Sequence, residues 1–137
     1  MKKVINLLFL GVATVFLSYA SASFLDITTW TWWWISNIFH FAGGIYAFFL
    51  ARAIFRSTER YHRTQALFLM EIVIFILGAL AVGVLWEWYE LAVDRYNIFI
   101  RHKASIMTYA DNIGDLITDF LGALTAGIYL AFKRKRE

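Results

Sequence analysis

The stretch that decides the fold, residues 66–91, reads ALFLMEIVIFILGALAVGVLWEWYEL. Its charged residues are three glutamates, Glu71, Glu87 and Glu90, and everything else is apolar, aromatic or small. A helix needs about 20 mainly apolar residues to cross the hydrocarbon core of a bilayer. Residues 66–91 are therefore predicted to span a membrane.

Three other stretches meet the same criterion, namely residues 4–22, 33–55 and 113–132. The first of them follows Lys2 and Lys3 and resembles a signal peptide, but its apolar run is longer than a usual signal core. We therefore expect an uncleaved span. The predicted fold is all-α, a polytopic four-transmembrane-helix bundle that forms one domain over residues 1–137.

The composition agrees with a membrane protein. Hydrophobic residues make up 61% of the chain and its mean hydropathy is +0.60, against about 45–50% apolar residues in soluble domains. A chain of 137 residues cannot bury such an excess, which excludes a lone soluble enzyme or a nucleic-acid binder and makes the lipid bilayer the expected partner. The chain has no cysteine, so it can form neither a disulfide nor a thiolate metal site.

The basic residues predict an orientation. Ten of the 13 lysines and arginines fall on one side of the four-span arrangement, and this side is expected to be cytoplasmic. These ten are Lys2, Lys3, Arg52, Arg56, Arg60, Arg63, Lys133, Arg134, Lys135 and Arg136. Arg95, Arg101 and Lys103 remain for the opposite loop, together with Asp94. Both termini should then be cytoplasmic, in a multi-pass protein of the inner (cytoplasmic) membrane.

Ionisable residues gather near the outer ends of three spans: His40, Glu87, Glu90, Asp111, Asp115 and Asp119. Asp115 and Asp119 lie roughly 3 and 9 Å inside the predicted hydrocarbon boundary, and His40 lies roughly 9 Å inside it. On each helix the polar positions share a face with small residues such as Gly44, Gly83 and Gly122. Small residues mark close helix contacts in membranes, so this pattern predicts a buried acidic pocket that faces outward.

Five carboxylates and one imidazole cannot all be buried together uncompensated. Some carboxylates must take up protons, or Arg95, Arg101 or Lys103 must fold over them, or a metal ion must bind. Oxygen ligands with one imidazole suit Mg²⁺, Mn²⁺, Ca²⁺ or Zn²⁺. The six residues are therefore candidate ligands of a divalent cation, and a structural polar network is the alternative.

Three sequence blocks resemble the YjdF-like family, small bacterial and archaeal inner-membrane proteins of unestablished function. The blocks read HFAGG at residues 40–44, WEWYE at 86–90, and YADNIGDL at 109–116 with DFLGA at 119–123. By matching position, the family's polar residues are the same six candidates. A more distant similarity runs to VanZ-like proteins, which are linked to glycopeptide-antibiotic resistance.

Four classes of function follow from these residues. The leading hypothesis is a ligand site in the outer leaflet, for a divalent cation or another polar ligand. The others are an enzyme acting on a lipid head group or lipid-linked precursor, a proton- or ion-coupled transporter, and a purely structural role. Transport by so short a bundle would require a homo-oligomer, which the small-residue helix faces would allow.

Overall fold

The computed structural model describes residues 29–56, 65–102 and 108–134, and also residues 5, 6, 9, 11 and 13. The three continuous segments hold three α-helices and no strand: α1 (Thr29–Arg56), α2 (Gln65–Arg101) and α3 (Tyr109–Arg134). Within this described part, all three helices are long and apolar enough to cross a membrane. The all-helical prediction is therefore confirmed for these segments.

The predicted spans and the observed helices differ at their ends. The apolar portion of α1 is Trp33–Phe55, the same residues as the predicted second span. The first predicted span, residues 4–22, lies outside the described residues except at five positions, which are helical. A fourth helix and the location of the termini therefore stay predictions.

The loop predicted after residue 91 is wrong, because α2 continues to Arg101. Asp94 and Arg95 lower the hydropathy of this part of the chain without interrupting the helix, since charged residues are compatible with helical backbone. Asp94 is buried, with 7% of its surface exposed, and is not the ordinary loop residue that the sequence predicted. The helix ends where His102 adopts a left-handed backbone conformation with φ of 52°.

The helices α1 and α3 run parallel, and α2 runs antiparallel to both. Along α1, Asn37 contacts Thr118 and Phe48 lies beside Gly127, so positions on the two helices advance together. The start of α1, the second half of α2 and the start of α3 therefore lie at the same end of the bundle.

Glycines bring α1 and α3 into backbone contact. A Cβ atom on Gly44 would overlap the carbonyl of Asp119, and one on Gly122 would overlap the carbonyl of Phe41. No residue larger than glycine fits at either position without a shift of the backbone. This crossing fixes how the first half of α1 faces the first half of α3.

Small and aromatic residues fill the core beyond the crossing. Phe48 and Phe75 are 0% and 1% exposed, and their rings meet edge to face at 5.5 Å. We call this region the aromatic core, and it comprises Phe48, Phe49, Phe55 and Phe75. Near the far end of α3, the Arg134 guanidinium lies 4.3 Å from the centre of the Phe68 ring.

The small-residue faces are used inside the chain. Ala47, Ala79 and Ala126 are all at most 3% exposed, and Gly44 and Gly122 are buried at the crossing. These faces are therefore not free on the surface for self-association. A homo-oligomer stays a prediction.

Candidate metal centre

The imidazole of His40 lies where all three helices meet. Its Nε2 atom is 3.6 Å from Asp115 Oδ2 on α3 and 4.0 Å from Glu87 Oε1 on α2. Its Nδ1 atom is hydrogen-bonded to Asp119 Oδ2 at 3.3 Å. We call this group the polar cluster, and it comprises His40, Glu87, Glu90, Asp115 and Asp119.

Local sequence explains how these side chains converge. Asp115 and Asp119 are four residues apart, so both project from one face of α3, and Glu87 and Glu90 share a face of α2 in the same way. The Gly44–Gly122 crossing then presses that face of α3 against His40. Close helix approach, made possible by glycine, is what brings the acids to the imidazole.

Glu87 is the least satisfied member of the polar cluster. It is 5% exposed, and neither carboxylate oxygen has a hydrogen-bond partner in the described part of the chain. Asp115 is 4% exposed, and its Oδ1 atom is unpartnered on the same basis. Leaving a buried polar group without a partner costs about 1–3 kcal/mol, and more for a charged one. Both carboxylates therefore have oxygens that remain available to a ligand.

Basic side chains do not neutralise the polar cluster within the described residues. The ion pairs that its carboxylates make there are all to His40. Arg95, one of the three cations considered from the sequence, is exposed, and the side chains of Arg101 and Lys103 lie outside the described residues. Within the described residues, these four carboxylates therefore have only the imidazole, and no lysine or arginine, as a charge partner.

Four residues are placed to share one ion. His40, Glu87, Glu90 and Asp115 each offer a ligand atom, and these four atoms all lie within 4.8 Å of one another. Ligand distances of about 2.0–2.2 Å put two ligands on opposite sides of an ion about 4.2 Å apart. Small side-chain movements would therefore close the group around a cation.

The other two predicted ligands lie differently. Asp119 meets the Nδ1 side of His40 and does not join the group of four. Asp111 is half-buried in the first turn of α3, where its backbone N–H donates to the Thr108 hydroxyl in a helix N-cap. A role for either residue as a direct ligand stays a prediction.

One polar contact beside the polar cluster was not predicted. The Thr118 hydroxyl donates to Asn37 Oδ1 at 2.9 Å, which links α1 to α3 one turn from His40. Asn37 lies three residues before His40, so helical spacing could have indicated it, but its side chain is not ionisable.

Comparison with known proteins identifies the family. Residues 2–136 match a protein family described as "Predicted membrane protein (DUF2238)". The chain belongs to this family. The match confirms the resemblance to YjdF-like proteins of unknown function, whereas the similarity to VanZ-like proteins has no such support. No curated protein and no solved structure matches the chain.

Membership of a DUF2238 membrane family makes the three helices membrane-spanning, in a multi-pass protein that has the lipid bilayer as its environment. This environment bears on the polar cluster. Ionisable residues inside a membrane are costly, and where they occur they face the bundle interior and mark functional sites. The polar cluster has this placement, and its His, Glu and Asp side chains could hold a metal ion.

Proposed function

We propose that this DUF2238 protein binds a divalent cation inside the membrane, through His40, Glu87, Glu90 and Asp115. The observation that carries the proposal is the Glu87 carboxylate, which is buried with both oxygens unpartnered and lies beside three other potential ligands. A divalent cation supplies the missing partner and offsets two negative charges at once. Neither a hydrogen-bonded network nor an ion pair with arginine or lysine does this among the described residues.

Direct titration tests the proposal. Purified protein in detergent, first treated with a chelator, should bind one equivalent of Mn²⁺ or Zn²⁺ in isothermal titration calorimetry. Glu87→Gln should weaken binding strongly, because an amide oxygen is a poorer ligand and the amide nitrogen is none.

The matched control is Glu71→Gln, the same change on the same helix at a residue that belongs to neither the polar cluster nor the group of four. It should bind the ion as the wild type does. Wild-type protein that binds none of Mn²⁺, Zn²⁺, Mg²⁺ or Ca²⁺ would overturn the proposal, and equal loss in both variants would show that the effect is not local.

We also propose that both termini are cytoplasmic, that the protein resides in the inner membrane and that the polar cluster is nearer the outer surface. The unequal distribution of lysine and arginine supports this orientation. Because the chain has no cysteine, single cysteines can report it. A membrane-impermeant maleimide applied to spheroplasts should label Tyr109→Cys, at the start of α3, and should not label Lys133→Cys at its end. The reverse pattern would contradict the orientation.

A further inference from the structure

The two ring nitrogens of His40 face different carboxylates. Nδ1 is hydrogen-bonded to Asp119, whereas Nε2 points towards Asp115 and Glu87. A neutral imidazole carries a hydrogen on one nitrogen and a lone pair on the other. The two ring nitrogens can therefore have different roles, because one can donate a hydrogen bond and the other can bind a ligand.

We infer that Asp119 is a positioning residue, which accepts the Nδ1 hydrogen of His40 so that the Nε2 lone pair is directed at a first-row transition-metal dication. The inference rests on the proposed function, because it assigns the class of ion to that same site. Histidines that bind metals commonly donate their other N–H to a carboxylate, which fixes the ring and strengthens the nitrogen as a ligand.

The surroundings of Asp119 suit a fixed orienting group. The residue is 5% exposed, and glycines from both neighbouring helices surround it. A Cβ atom on Gly83 would lie 2.5 Å from Asp119 Oδ2, and one on Gly43 would lie 3.7 Å from Oδ1. The space that the carboxylate occupies thus exists because α2 has no side chain at position 83, and this holds Oδ2 against the His40 ring.

The donor set selects among cations. Mg²⁺ and Ca²⁺ prefer oxygen ligands throughout, whereas an imidazole nitrogen favours ions such as Fe²⁺ and Zn²⁺. In the polar cluster an imidazole nitrogen is one of the four potential ligand atoms, and it lies within 4.8 Å of the three carboxylate oxygens. The buried, unpartnered Glu87 carboxylate shows independently that the Nε2 side, not the Asp119 side, is where a ligand is missing.

The first measurement needs no variant. In ¹⁵N-histidine NMR of wild-type protein loaded with Zn²⁺, His40 should show a protonated Nδ1 and a metal-bound Nε2. Competition titrations should show at least a 10-fold preference for Zn²⁺ over Mg²⁺ and Ca²⁺. Metal bound at Nδ1, or equal affinity for Ca²⁺ and Zn²⁺, would overturn the inference.

The second measurement uses Asp119→Asn, a near-isosteric change, with Glu71→Gln as the control outside the polar cluster. Loss of an orienting partner commonly weakens metal binding by about 10- to 100-fold. Asp119→Asn should therefore weaken Zn²⁺ binding by that factor, with little change for Ca²⁺, and Glu71→Gln should change the ratio of the two affinities little.

The possible failures are distinguishable. If wild-type protein binds no divalent cation, the proposed function fails, and this inference fails with it. If wild-type protein binds Zn²⁺ through Glu87 but Asp119→Asn leaves the ratio of Zn²⁺ to Ca²⁺ affinity unchanged, the metal site stands and the role assigned to Asp119 is wrong. A merely structural role for Asp119 would lower both affinities together.

Discussion

The polar cluster draws on all three helices and the aromatic core on α1 and α2, and the two regions differ in whether their buried groups have partners. In the aromatic core, Phe48 and Phe75 fill space completely and have no polar group to satisfy. In the polar cluster, Glu87 and Asp115 are equally buried and keep oxygens without partners. Packing alone accounts for the first region, whereas under the proposed function the second gains further stability from a bound cation.

The difference shows where stability and function are separated in a small membrane bundle. Lipid is as apolar as leucine, so helices associate in membranes through close packing and not through a hydrophobic driving force. The aromatic core and the Gly44–Gly122 crossing provide that packing. Their packing stabilises the bundle enough to offset the free-energy cost of burying the side chains of the polar cluster.

The largest loss of stability should come from changing the Gly44–Gly122 crossing, which lies between the polar cluster and the aromatic core. Gly122→Ala places a Cβ atom against the Phe41 carbonyl, which is backbone and cannot rotate away. We expect a loss of stability above the about 1–3 kcal/mol typical of overpacking, measured by denaturation in detergent. The control is Gly114→Ala on the same helix, where an added Cβ meets nothing within 4 Å. It should stabilise the protein slightly, because alanine favours helix more than glycine does. Similar results for the two variants would contradict the role of the crossing.

Truncating a side chain of the aromatic core should cause the next largest loss of stability. Phe75→Ala leaves a cavity between α1 and α2 and should destabilise the protein by about 3 kcal/mol, the lower end of the range for such changes, since lipid replaces water outside the bundle. Leu77→Ala, at a side chain 59% exposed on the same helix, should cost far less. Both can be measured by denaturation with and without a divalent cation, and a comparable loss from Leu77→Ala would show that burial is not decisive.

A variant of the aromatic core and a variant of the polar cluster should differ in how much a metal ion stabilises them. At a free concentration 100 times its dissociation constant, the ion should add about 2.7 kcal/mol to the stability of the wild-type protein. Phe75→Ala should gain the same increment from its lower starting point, whereas Glu87→Gln should gain almost none. Without metal, Glu87→Gln should be at least as stable as the wild type, because it removes a buried carboxylate whose oxygens have no hydrogen-bond partner among the described residues. A metal-independent loss of stability in Glu87→Gln would contradict this account.

The smallest expected effect concerns the contact between Thr118 and Asn37. Thr118 and Thr125 both donate to a carbonyl four residues earlier, at 2.8 Å, but Thr118 also reaches Asn37 on α1. Interhelical hydrogen bonds in membranes contribute about 0.6 kcal/mol. Thr118→Val should therefore lose about that much stability relative to Thr125→Val, as measured by denaturation in detergent. Equal losses would show that the contact contributes nothing.

The sequence predicted the helices better than their ends. The predicted second span, residues 33–55, lies inside α1, which begins four residues earlier and ends one residue later. The prediction failed beyond residue 91, where α2 continues through Asp94 and Arg95. Hydropathy reports where the chain can lie in lipid, and a helix does not have to end where lipid ends.

For the polar cluster, helical spacing placed His40, Glu87 and Asp115 on inward faces, and the structure brings them together. Spacing could not distinguish Asp115 from Asp119, which lie on the same face of α3. Which ring nitrogen each carboxylate meets depends on how α1 crosses α3 at Gly44 and Gly122. That crossing is a contact between residues far apart in sequence, and no local pattern specifies it.

The length of α2 has a mechanical consequence. Its 37 residues extend about 55 Å, against a hydrocarbon core about 30 Å thick, so even a strongly tilted α2 must emerge from the bilayer. Phe99, near its end, is 68% exposed and lies twelve residues, or about 18 Å, along the rigid rod from Glu87. A small tilt of α2 near Glu87 would therefore move the end of the helix further than it moves Glu87. A spin label at position 99 could record this movement at the aqueous surface.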